Sequence, residues 1–213
     1  MGAGELREAV RAAGLLAQAR GVLAMLSGGR DSVCLLGVAV ELCEPGTVSA
    51  LHVNYGMREQ SGAEERHCAE LCERLGVELE VIRPQGQPPQ PPPGPGELRD
   101  GEGAQGNLQA WARELRYEAA ERLAERSDAS IATGHTASDQ VETILYRLAA
   151  SPGRRALLGM PAVEGRLIRP LLSVTREQTA AYCRERGLGW CDDASNEDER
   201  FARARVRQRL VPA

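Results

Sequence analysis

The stretch that most constrains this chain runs from Val22 to Leu36. An apolar run, Val22-Leu23-Ala24-Met25-Leu26, meets Ser27-Gly28-Gly29-Arg30-Asp31-Ser32 and then a second apolar run, Val33-Cys34-Leu35-Leu36. Five apolar residues bounded by glycine read as a buried strand, and the second run reads as a helix start. Two adjacent glycines let the backbone come close to a ligand. The helix behind them points unpaired N–H groups back at the turn, which favours an anion. Ser27 and Ser32 add hydroxyl donors, and Asp31 can hold a cation or cap the helix. One reading is an ordinary strand-to-helix turn with a Ser/Asp cap. The other is a cradle for a nucleotide pyrophosphate formed by Ser27, Gly28, Gly29, Arg30, Asp31 and Ser32.

The rest of the chain alternates in the same way. Helices are expected over 5–19, 31–43, 61–75, 107–126, 138–150 and 175–186. Strands are expected over 22–26, 47–54, 77–82 and 129–133, with a short fifth strand starting at Leu167-Ile168. Strands separated by helices predict an α/β fold, a mostly parallel five-stranded sheet with helices on both faces. Ligands of such sheets sit at the carboxyl ends of the strands. The glycine turn after strand one, His52 and Asn54 at the end of strand two, and Gly134-His135 after strand four should therefore share one rim.

At 213 residues one domain is expected. Within it, 84–105 reads as a Pro/Gly-rich insertion loop, since 84–96 holds seven of the 12 prolines and can be neither helix nor central strand. The segment 195–213 reads as a basic tail. The net charge of −4 excludes a globally basic nucleic-acid binder. All 26 basic side chains are arginines, so cationic chemistry falls to guanidinium groups. The six cysteines are scattered without a CxxC pair, and Cys68 and Cys72 beside His67 fall short of the four ligands zinc normally takes. With no signal peptide and no apolar run of membrane-spanning length, the expectation is a cytoplasmic protein that does not enter a membrane.

Two further stretches carry chemistry. In Gly134-His135-Thr136-Ala137-Ser138-Asp139-Gln140-Val141-Glu142, the carboxylates Asp139 and Glu142 are three apart, so a helix puts them on one face near its N-terminus. They either cap that helix or bind Mg²⁺ or an ammonium group, with His135 beside them at the strand end. In Ala112-Arg113-Glu114-Leu115-Arg116-Tyr117, the residues Arg113, Arg116 and Tyr117 lie on neighbouring turns. They form either a solvated helix face or a grip on phosphates.

These motifs, in this order, resemble the tRNA(Ile)-lysidine synthetases, a branch of the PP-loop (N-type) ATP pyrophosphatases. The similarity continues through Leu51-His52-Val53-Asn54-Tyr55-Gly56-Met57-Arg58, Leu158-Gly159-Met160, Ile168-Arg169-Pro170-Leu171-Leu172 and Asp193-Ala194-Ser195-Asn196. The resemblance implies that ATP adenylates C2 of the wobble cytidine of a tRNA(Ile) with a CAU anticodon, and that free L-lysine displaces AMP to give lysidine. It implies ATP as substrate, Mg²⁺ at Asp31 and Asp139, and Asp31, Asp139, Glu142 and His135 as catalytic residues. ATP would lie on Ser27 to Ser32 with His52 and Asn54, and tRNA or phosphate on Arg113, Arg116, Tyr117, Arg203 and Arg207. Three positions depart from the pattern: Ser138 stands where the family commonly has a first aspartate, Tyr55 where it often has His, and Ala204 where an Asn is usual. The helical C-terminal tRNA-binding domains of typical members are expected to be absent. A homodimer is compatible with the sequence, which does not fix the oligomeric state. The alternatives are a non-catalytic ATP- or tRNA-binding relative and a tRNA 2-thiolation enzyme; the latter usually carries CxxC pairs.

Overall fold

The structure, a computed structural model, describes residues 2–57, 59–84, 102–151 and 153–191, with backbone only at 102–107, 109 and 155. The elements are α1 (Ala3–Ala13), β1 (Val22–Met25), α2 (Arg30–Leu42), β2 (Val48–Val53), α3 (Ser61–Leu75), β3 (Glu78–Ile82), α4 (Glu102–Ser127), β4 (Ser130–Ala132), α5 (Ala137–Ala150), β5 (Val163–Glu164), β6 (Leu167–Ile168) and α6 (Arg176–Glu185). A 3₁₀ turn, Arg154–Leu158, follows α5. The sheet order is β3-β2-β1-β4-β6-β5, parallel except for the β5–β6 pair.

Alternation along β1 sorts the core into two layers. Val22, Ala24 and Leu26 face a cluster built with α1, α2, α3 and α6. Leu23 and Met25 face the other side, where Ala119, Ala120 and Ala124 of α4 lie against Leu51, Ile131 and Leu167. Helices thus cover both faces, as expected. α2 is buried on nearly every side, from Ser32 to Ala39, because α1 and α6 pack on its outer surface. Each fully buried Leu or Val there contributes about 1.5–3 kcal/mol. Gly37 permits the close approach, since a Cβ at that position would stand 2.7 Å from Leu188 and 3.1 Å from Tyr182.

The differences from the sequence reading are local. The first helix ends at Ala13 rather than residue 19, because Gly14 takes the left-handed conformation (φ 72°) and closes it. The helix expected from 107 begins at Glu102, so residues 102–105 of the anticipated insertion are helical. A sixth strand, β5, folds back on β6 through Gly165 (φ 60°). Residues 85–101 and the whole segment 195–213, with Arg203, Ala204 and Arg207, lie outside the described residues, as do Arg58 and the Asp193 to Asn196 motif.

Candidate active site

β1 and β4 are adjacent at the centre of the sheet, yet the chain runs from β1 outward to β2 and β3 on one side, and from β4 to β6 and β5 on the other. Connections that part in this way open a crevice at the strand ends, where ligands of such sheets bind. At its floor the two connections touch. A Cβ on Gly134 would lie 2.9 Å from the carbonyl carbon and oxygen of Asp31 and 3.0 Å from the Ser32 nitrogen. The glycine turn and the β4 rim are therefore in contact, as the sequence suggested.

The turn closes on its own hydroxyls. Ser32 Oγ donates to the Gly29 carbonyl (2.7 Å) and accepts from the Ser27 N–H (3.2 Å), and it lies 3.1 Å from Ser27 Oγ. Ser27 Oγ accepts from the Gly29 N–H at 3.3 Å. Gly28 takes φ 85°, a left-handed backbone. The N-cap of α2 is Gly29, so no side chain caps the helix. Its first turn keeps N–H groups directed at the turn, as an anion site requires.

The acidic residues converge on one group that the sequence reading did not single out. Arg176, the first residue of α6, donates to Asp139 Oδ1 (2.6 Å) and to Glu142 Oε1 (2.8 Å), and its Nε lies 3.6 Å from Asp31 Oδ2. Burial works against its charge, but Asp139, Glu142 and Asp31 outweigh that and hold the guanidinium pKa above its ordinary value. Asp31 is also held by Thr179 Oγ1 (2.5 Å) and Arg30 Nε (3.1 Å), so it is turned toward α6. Asp139 serves both of the roles weighed from the sequence. Its Oδ2 caps α5 by accepting from the Thr136 N–H and hydroxyl, both at 2.8 Å, while Oδ1 takes Arg176. Ser138, where the family commonly has an acid, accepts from the Arg176 N–H at 3.4 Å and so ties the starts of α5 and α6 together.

His135 sits beside this cluster with Nδ1 2.8 Å from Thr133 Oγ1. Burial pushes its pKa down to about 4; Asp139 pulls the other way, and Arg169, Arg113 and Arg116 reinforce the fall. The imidazole is therefore neutral near pH 7. On α4, Arg113 lies over the Tyr117 ring at 4.6 Å, and Tyr117 packs on the inner cluster. Among the described residues, Arg116 Nε is buried without a hydrogen-bond partner. Tyr55 donates to the Ala112 carbonyl (2.6 Å) and meets the Trp111 ring at 6.0 Å, which fastens the β2 rim to α4.

His52 and Asn54 take other partners. The buried His52 donates from Nδ1 to the Leu26 carbonyl (2.9 Å), bracing the turn from behind. Asn54 donates to Glu65 (2.7 Å) and accepts from the Gly56 N–H (2.8 Å). Arg30 points at Asp31 and Thr179. Cys68 and Cys72 are buried thiols whose pKa values burial raises to about 12 and about 11.

The carboxylate oxygens of Asp31, Asp139 and Glu142 are the hard donors that Mg²⁺ prefers. In this structure, however, those oxygens hold Arg176, and among the described residues no three acidic, His or Cys side chains gather closely enough for a metal. Donor chemistry fits the ion, while the contacts present are those that hold Arg176. Arg176 and Thr179 are not singled out by the sequence, and the buried Arg169, which donates to the Pro161 carbonyl (2.6 Å) and to Glu164 (3.0 Å), stands out there only as part of the Ile168 to Leu172 stretch. A signal existed for Arg176. A cation at the first position of a helix opposes the helix dipole, so it needs acidic partners from elsewhere.

Comparison with known proteins places these features in a wider set. The family model described as PP-loop domain matches residues 5–213. The chain is 38% identical over 193 residues to the tRNA(Ile)-lysidine synthase of Pseudomonas fluorescens, covering 87% of this chain and 40% of that protein. It is 33% identical over 217 residues to the tRNA(Ile)-lysidine synthase of Nostoc sp., covering 98% of this chain and 58% of the relative. The chain thus spans roughly two fifths to three fifths of the length of these curated relatives. Among solved structures, the U34-tRNA thiolase NcsA of Methanococcus maripaludis superposes with a TM-score of 0.64 at 17% identity, over 98% of this chain and 78% of that one. The NH3-dependent NAD synthetase of Campylobacter jejuni gives 0.60 at 15% identity, over 88% and 75%. At such identities these two likenesses concern the fold.

Proposed function

The chain belongs to the PP-loop domain family, and from that premise we propose that it ligates L-lysine to C2 of the wobble cytidine of a CAU-anticodon tRNA(Ile), with ATP activating the base. The cytidine O2 attacks the α-phosphorus of ATP and pyrophosphate leaves. The lysine side-chain amine then attacks C2, AMP departs with the oxygen, and the amine gives up a proton. One observation carries the reading: at Gly134 the anion-favouring turn meets the β4 rim, and that rim leads into the helix that bears the acidic pair. The likeness to proteins named tRNA(Ile)-lysidine synthase supplies the substrates.

In this reading the turn from Ser27 to Ser32 receives the phosphates through backbone N–H groups and hydroxyls. Asp139 and Glu142 receive the lysine ammonium, and their charge favours its protonated form until it is aligned. Neutral His135 accepts or relays the proton released when the C–N bond forms, as a base whose pKa lies below the working pH. Arg113 and Arg116 of α4 meet phosphate or the RNA backbone. Mg²⁺, held by Asp31 and Asp139, would neutralise phosphate charge when bound.

The test is an assay of the purified protein with ATP, radiolabelled lysine and a CAU-bearing tRNA(Ile) transcript. Lysine should enter the tRNA, and Asp31→Ala and Asp139→Ala should each abolish it. Nucleotide binding with no incorporation would replace this reading with that of a non-catalytic binding protein.

A further inference from the structure

Asp139 and Glu142, the residues that would receive an ammonium group, are both taken by Arg176. A guanidinium and an alkylammonium are both monovalent cations built from N–H donors, so one carboxylate pair cannot serve both in full. Arg176 also reaches toward Asp31, which stands in the first turn of α2 beside the glycine turn. The guanidinium therefore lies between the anion half and the acid half of the crevice. Its side chain is 17% exposed, and its place at the head of α6 is unfavourable for a cation except for those three carboxylates.

We propose that Arg176 couples the two halves: it fills the amine pocket until a nucleotide arrives, then turns to the phosphates and releases Asp139 and Glu142. This rests on the ligation reading for the identity of the amine. The polyphosphate supplies the partner that draws Arg176 away, since a planar guanidinium pairs with phosphate at least as well as with carboxylate. Ser138 holds the Arg176 backbone N–H, so the side chain moves while its anchor stays. Arg176 is thus a positioning residue that imposes an order, nucleotide before amine. The order keeps a bound amine from waiting in a site that has nothing to attack.

Calorimetry on the full chain tests this without turnover. L-lysine is titrated with and without α,β-methylene ATP, whose bridge blocks cleavage between the α and β phosphates. The wild-type protein should bind lysine about tenfold or more tightly when the analogue is present, within the usual range of such couplings. In Arg176→Gln the dependence should vanish, with lysine bound in the absence of nucleotide about as tightly as the wild type binds it in its presence. Retained affinity of the variant for the analogue shows that it is folded. A wild-type lysine affinity indifferent to nucleotide overturns the proposal, and so does a variant that binds lysine more weakly in both states. Absence of lysine binding in every state also overturns it. Lysine incorporation into tRNA, measured separately, would leave the ligation reading standing in any of these cases.

Discussion

Gly134→Ala is the substitution whose effect follows most directly from the geometry. The added methyl would sit 2.9 Å from the Asp31 carbonyl carbon and oxygen, where ordinary van der Waals contact begins at 3.4 Å. The deficit is about 0.5 Å, and every atom it meets is backbone at the head of a buried helix, so no side chain can swing aside. Overpacking of this kind costs about 1–3 kcal/mol. Relief requires the β4 rim and the α2 turn to separate, which misaligns the two halves of the crevice. A displacement approaching 1 Å at reacting groups can lower a rate by about 100-fold. Urea denaturation should therefore show a loss of about 2 kcal/mol, and lysine incorporation should fall by roughly 10- to 100-fold. Gly4→Ala is the control. Nothing lies within 4 Å of its Cβ, and it stands inside α1. It should stabilise by about 0.5–1 kcal/mol and leave incorporation unchanged. A Gly134→Ala protein with wild-type stability and wild-type incorporation would refute the contact between the halves.

Two further outcomes are expected. His135 has a pKa near 4 in the folded chain against 6.5 for an unperturbed imidazole, so its contribution is full above pH 6.5 and is lost as pH falls toward 4. That loss amounts to at most about 3 kcal/mol. His135→Gln should flatten the stability profile over this window in parallel denaturation series, and an unchanged difference between pH 7 and pH 4 would contradict the burial of the neutral ring. Tyr55→Phe removes the 2.6 Å bond to the Ala112 carbonyl and should cost about 1 kcal/mol in denaturant midpoint experiments. No loss would mean that the β2 rim is not fastened to α4 through that hydroxyl.

Much of the fold was legible because its signals are local. Val22 to Leu26 alternates between two apolar layers, and the glycines at 28 and 76 mark a turn and a helix end in the left-handed conformation, whereas the same signal at Gly14 lies inside the helix expected over 5–19. β5 escaped notice because it is two exposed residues long, too short for a period-two pattern. The site divides in the same way. Asp139 and Glu142 share a helix face, so their partnership could be read from spacing alone. Arg176 stands 37 residues from one and 34 from the other, and only the packing of α6 on α2 brings it between them. His52 lies in the rim strand and Asn54 just past its end, but the direction of a side chain depends on its neighbours. Cys68 and Glu65, on the next helix, give those two residues partners on the α3 side.

Neighbouring parallel strands run about 4.8 Å apart. β1 carries the glycine turn and β4 carries the rim that leads to the acidic pair, and the two strands pair directly. The sheet therefore acts as a ruler one division wide, graduated by backbone hydrogen bonds and insensitive to the side chains mounted at its ends. In the proposed ligation, residues on α5 and α6 could change while the distance from amine to nucleotide stays the same. In such a frame, a new acceptor chemistry can arise by altering one jaw, with no need to recalibrate the other.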